Sequence, residues 1–92
     1  MRVLIVDDEP LARTALAQIL EARPDVERFD SANDAIEAQE RLTGESYDVM
    51  LLDVSMPELS GLELLSRLER HQRPIPSVVF VTAYAEYALA AF

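Results

Sequence analysis

The sequence predicts a doubly wound α/β sheet, and three observations carry that prediction. Four short apolar segments recur at domain-like spacing: Val3-Leu4-Ile5-Val6, Val26-Glu27-Arg28-Phe29, Val49-Met50-Leu51-Leu52 and Val78-Val79-Phe80-Val81. Stretches with the 3.6-residue apolar period of helices separate them. The first, third and fourth segments run into Asp7-Asp8-Glu9, Asp53 and Thr82 respectively. Continuous apolar runs suit strands covered by helices on both faces, whereas the alternating second segment suits a strand at a sheet edge.

In the first helix, Leu11, Ala15 and Ile19 share one stripe, and Ala12, Leu16 and Leu20 lie beside it. Pro10 is tolerated in the first turn, and Pro24 ends the helix. Asn33 is the expected N-cap of a second helix that turns Ala35, Ala38 and Leu42 inward and stops near Gly44. Ser60 should cap a third, whose apolar face is Leu62, Leu65 and Leu68 with Leu64 alongside. Arg67, Arg70, His71 and Arg73 favour the negative end of its dipole, and Pro74 and Pro76 close it. His71, set among polar neighbours, reads as a solvated residue. A fourth helix is expected from Glu86, carrying Tyr87, Leu89, Ala90 and Phe92.

Alternation of strand and helix with short connections implies right-handed crossovers in one parallel sheet, and such sheets gather their functional residues at the carboxyl ends of the strands. The chain has 92 residues, enough for one core and not two. A net charge of −9 lacks the basic footprint that nucleic-acid binding requires, so this segment is not expected to read DNA itself. There is no cysteine and therefore no disulfide framework. No apolar run approaches the roughly 18 residues of a membrane span, nor is there a signal-peptide core, so the expected location is cytoplasmic.

If the central strands are neighbours, Asp7, Asp8 and Asp53 converge. Three carboxylates that close repel one another unless a hard divalent cation with a preference for oxygen ligands neutralises them, and Mg²⁺ fits best. A carboxylate in such a site can attack a phosphoryl group while the metal and a hydroxyl donor such as Thr82 stabilise the transferred oxygens. Taken singly, each residue has a plainer role: Asp8 or Glu9 as a helix cap before Pro10, Asp53 as a turn residue, Thr82 as a strand terminus. Joint placement at three strand ends favours the chemical reading.

These residues resemble the receiver domains of two-component response regulators: Val-Asp7-Asp8-Glu-Pro, Leu-Asp53-Val-Ser55-Met56-Pro57-Glu-Leu-Ser60-Gly61 and Val-Thr82-Ala83. Residues 81–92 resemble the LytR/AlgR subfamily in particular. The resemblance implies a flavodoxin-like sheet and a phosphoacceptor role for Asp53. It implies Mg²⁺ held by Asp7, Asp8, Asp53 and the backbone carbonyl of Ser55, with Thr82 and the Ala83 backbone N–H contacting the phosphoryl group. Pro57 and Gly61 would shape the loop beyond the acceptor, and Tyr84 and Tyr87 are candidates for a switch surface. The implied partners are a sensor histidine kinase and, in a longer parent, a LytTR-type DNA-binding output domain.

Receivers also carry a fifth strand ending in a Lys that pairs with the phosphoryl group, an aromatic switch residue on that strand, and a fifth helix. All eight basic residues here are arginine, so residues 1–92 are expected to form a receiver cut before its fifth strand, with four strands in the order 2-1-3-4. Loss of one preorganised charge donor typically costs about 3 kcal/mol, or about two orders of magnitude in rate. Mg²⁺ binding should therefore survive better than phosphotransfer. The chain would be a phosphoacceptor rather than an enzyme, with at most self-catalysed phosphotransfer. The alternative is a phosphorylation-incompetent scaffold or self-association module, pairing through the exposed fourth strand and the following helix. A phosphatase with an Asp nucleophile would place it after the first strand. A nucleotide-binding module would need a phosphate loop where Asp7-Asp8-Glu9 stands.

Overall fold

The computed structural model describes residues 1–53, 61–70 and 75–81. Strands and helices alternate as β1 (Arg2–Val6), α1 (Pro10–Glu21), β2 (Arg28–Ala32), α2 (Ala35–Gly44), β3 (Val49–Asp53), α3 (Gly61–Arg70) and β4 (Ser77–Val81). All strand pairs are parallel, in the order β2-β1-β3-β4. This is the architecture the sequence predicts. No helix among the described residues is long and apolar enough to cross a membrane.

Strand alternation divides the core into two layers. Leu4, Val6, Met50 and Leu52 face α2 and α3, where Ala35, Ala38, Leu64 and Leu68 meet them and Val78 and Phe80 pack alongside. Val3 and Ile5 face α1 and meet Leu20, with Leu16, Ala17, Val26, Phe29, Val49 and Leu51 partly buried around them. Only β1 is buried on both faces; β3 alternates between buried and half-buried positions, and β4 is half-buried beyond Ser77. Among the described residues α1 covers the second face and packs on β1 and β2, which accounts for the difference.

Three expectations need correction. The second strand runs Arg28–Ala32 and not from Val26 to Phe29. The chain turns after α1 through the bonds Arg23 N–H to Leu20 O and Val26 N–H to Arg23 O, so Val26 belongs to the approach and packs below the sheet. Polar Asp30 is tolerated in the strand because Tyr47 Oη donates to it at 2.6 Å and Arg28 pairs with it at 3.3 Å. The N-cap of α2 is Asp34 rather than Asn33: its Oδ1 accepts from Glu37 N–H at 2.7 Å, satisfying a donor that the first turn leaves unpaired. In α1, Leu16 and Leu20 turn inward, but Leu11 and Ile19 are 83% and 59% exposed, and Ala15 is exposed with them. A helix with two adjacent apolar stripes can seat only one on a flat sheet.

In α3 the described inward side chains are Leu64 and Leu68, and Arg67 and Arg70 occupy its last turn. The side chains of Leu62 and Leu65, the Ser60 cap, His71 and the helix expected from Glu86 lie outside the described residues.

Candidate functional site

The register of the sheet builds the site. β1 and β3 pair through Val6↔Leu52, so the next residue on each strand, Asp7 and Asp53, stands at the same level at the carboxyl edge. Asp8 follows directly. One carboxylate oxygen from each of Asp7, Asp8 and Asp53 lies within 4.8 Å of the others. Asp7 is buried, at 6% exposure, and Asp8 and Asp53 are half-buried.

Hydrogen bonds hold Asp7 from several sides. Its N–H donates to Ala32 O at 3.1 Å, extending the β1–β2 ladder by one residue. Its Oδ1 accepts from Glu9 N–H at 2.9 Å, the local turn that short polar side chains make with the backbone two residues on. Its carbonyl accepts from Arg13 Nη1 at 2.7 Å. Glu9 is the N-cap of α1, with no side-chain capping bond, and Pro10 follows as the first helical residue. Asp8 is therefore not spent on capping. The N-terminus of α1 adds partial positive charge beside the cluster.

An oxygen-only set of three carboxylates, one of them buried, is the donor chemistry of a hard divalent cation; octahedral Mg²⁺ takes oxygens at about 2.0 to 2.1 Å. The spacing of the cluster is compatible with that after small side-chain adjustments, so the residues present fit the metal. Asp7, Asp8 and Asp53 are thus brought together as the sequence predicts. Ser55, Pro57, Thr82, Ala83, Tyr84 and Tyr87 lie outside the described residues. Sequence reasoning missed Arg13, because a basic residue early in a helix reads as surface.

A second polar group sits along β2. Tyr47 is buried, and burial, followed by its bond to Asp30, pushes its hydroxyl up to about 12. Arg28 pairs with Glu45 at 2.7 Å as well as with Asp30. This network joins β2 to the segment that enters β3, away from the acidic cluster.

A parallel sheet of this order with an acidic triad at its carboxyl edge is a receiver architecture, and the comparison with known families agrees: the response regulator receiver domain matches residues 3–92. The chain belongs to that family. Among full-length relatives it is 44% identical to a response regulatory protein of Vibrio cholerae, 42% to the transcriptional regulatory protein BtsR of Escherichia coli and 41% to the sensory transduction protein LytT of Enterococcus faecalis. In each case the match covers all of this chain and 38% of the relative. Among solved structures, the response regulator TrrA of Thermotoga maritima, in complex with Mg²⁺ and BeF, is 34% identical with a TM-score of 0.78, the match covering 94% of this chain and 72% of that one. The response regulator domain of Thermotoga maritima CheB is 31% identical with a TM-score of 0.75, over 98% and 71% of the two chains.

Proposed function

We propose that this receiver domain is a phospho-accepting switch of a two-component relay, with Asp53 as the acceptor. The observation that carries the reading is the convergence of Asp7, Asp8 and Asp53 within 4.8 Å at the carboxyl edge of the sheet. In the proposed step a carboxylate oxygen of Asp53 attacks the phosphorus of a phosphohistidine; the new P–O bond forms as the donor's P–N bond breaks, and the imidazole leaves with the electron pair. Mg²⁺, when bound, supplies charge neutralisation for the transferred oxygens. Asp7, Asp8 and Asp53 would hold that ion, with the Ser55 carbonyl the further ligand that the reading assigns. Thr82 and the Ala83 N–H are the proposed contacts of the phosphoryl group, and Tyr84 and Tyr87 the surface that reports it.

A sensor histidine kinase is the donor this reading requires. The relatives' length, with this chain matching 38% of it, supports a longer parent in which residues 1–92 are part of the receiver and a LytTR-type DNA-binding domain is the output, in the cytoplasm. Transcription control belongs to that output domain, since the acidic segment described here is unsuited to nucleic acid.

The test is intact mass after incubation with a small-molecule phosphodonor. A Mg²⁺-dependent gain of one phosphoryl group, lost in Asp53→Ala, is the expected result. No gain in a folded chain that binds Mg²⁺ would favour the second reading, a receiver scaffold that self-associates. That reading has its own support: β4 has a neighbour only on its β3 side among the described residues, and open strand edges recruit partners. Light scattering at roughly tens of micromolar tests that second reading, because a clean monomer excludes self-association.

A further inference from the structure

We infer that Arg13 is a positioning residue for the acidic site, holding the loop that carries Asp7 and Asp8 and thereby setting the affinity for Mg²⁺. The inference rests on the metal reading given above and deepens it. Arg13 lies in the first turns of α1, where its own N–H bonds Glu9 O at 3.1 Å. Side chains on a helix lean toward its N-terminus, and that lean carries the guanidinium back to the Asp7 carbonyl at 2.7 Å. The group is half-buried.

A cation so near the start of a helix opposes the helix dipole. It also stands beside three carboxylates, whose charge favours it in the metal-free chain but gives way to repulsion once a second cation is held there. Its geometry offers a reason. Asp7 is fixed through its N–H by Ala32, through Oδ1 by Glu9 and through its carbonyl by Arg13, and of these three only the last comes from a side chain. Removing Arg13 leaves a carbonyl without its charged donor at the hinge between β1 and α1, and frees the peptide that joins Asp7 to Asp8. Both carboxylates then lose their fixed aim.

Electrostatics and positioning predict opposite signs. If Arg13 acted only as a like charge beside the metal, its removal would tighten Mg²⁺ binding. If it positions the ligands, its removal weakens binding, and loss of groups that orient metal ligands typically costs about 10- to 100-fold in affinity.

The experiment is calorimetric titration of MgCl₂ into the full chain, Arg13→Met, Arg13→Lys and the control Tyr47→Phe, which loosens the β2 network away from the acidic cluster. The expected result is at least about a tenfold weaker Kd for Arg13→Met, substantial recovery in Arg13→Lys, and an unchanged Kd in Tyr47→Phe. Should Arg13→Met not fold, Arg13→Gln is read in the same way. Equal or tighter binding by the Met variant, or a Lys variant no better than Met, overturns the positioning role alone. A wild-type chain that binds no Mg²⁺ overturns the metal reading and this inference with it.

Discussion

Neutralising one carboxylate of the triad should stabilise the metal-free chain while removing its response to Mg²⁺. Asp8→Asn is the informative change, because Asp8 is half-buried and does not cap α1. At a separation of 4.8 Å, two full charges repel by about 3.5 kcal/mol at an effective dielectric of 20 and by about 0.9 kcal/mol in water. Asp8 faces two such neighbours, and half-exposure places the sum toward the lower end, about 2 to 3 kcal/mol. The variant forfeits about 0.3 to 1 kcal/mol of favourable interaction with the N-terminus of α1. The net expectation is a gain of about 1 to 2 kcal/mol in EDTA, which in a domain of this size raises Tm by about 4 to 16 °C. With Mg²⁺ at about a hundred times Kd the wild-type chain gains about 2.7 kcal/mol and the order of stabilities reverses. Thermal unfolding followed by circular dichroism in EDTA and in Mg²⁺ gives all four values. A variant less stable than wild type in EDTA, or stabilised equally by Mg²⁺, would refute the reasoning.

The other predictions concern the fold. Asp34→Ala removes the bond to Glu37 N–H and should cost about 1 kcal/mol, read as a drop of about 4 to 8 °C in Tm. Tyr47→Phe probes the network along β2. Because the folded state holds the Tyr47 proton up to about 12, above the ordinary value near 10, the stability tied to that proton is fully present below about pH 10. It is lost as pH rises toward about 12. Urea midpoints of wild type and Tyr47→Phe should therefore converge across that window, and parallel curves would show that Tyr47 is not the group responsible. Tyr84 and Tyr87 are common to both chains and cancel in the comparison.

Much of this architecture is legible in the sequence, and the parts that are not share a physical cause. β1, β3 and β4 announce themselves because each is a continuous apolar run, as strands of a helix-covered parallel sheet are. The edge strand β2 is set by pairing with β1 and by the partners of Asp30, contacts made with Tyr47 and Arg28 that composition does not encode. Which stripe of α1 is buried was equally hidden, since Leu11-Ala15-Ile19 and Ala12-Leu16-Leu20 are comparable as hydrophobic faces. Asn33 and Asp34 are both good caps, and the choice between them depends on where β2 ends.

The acidic site was more legible than the elements around it. Asp7 and Asp53 each follow a strand immediately, so once β1 and β3 are neighbours in register their meeting is forced. That meeting is unfavourable for the empty fold, because it buries one carboxylate and holds two more beside it. Sequences selected for stability alone would relieve such a cluster. Here the surrounding structure sustains it, with Glu9 N–H bonded to the Asp7 carboxylate and Arg13 fastened to its backbone. A site that costs stability and is nonetheless braced by its neighbours is the physical signature of a group kept for what it binds, and it ties the Mg²⁺ response of Asp8→Asn and that of Arg13→Met to one origin.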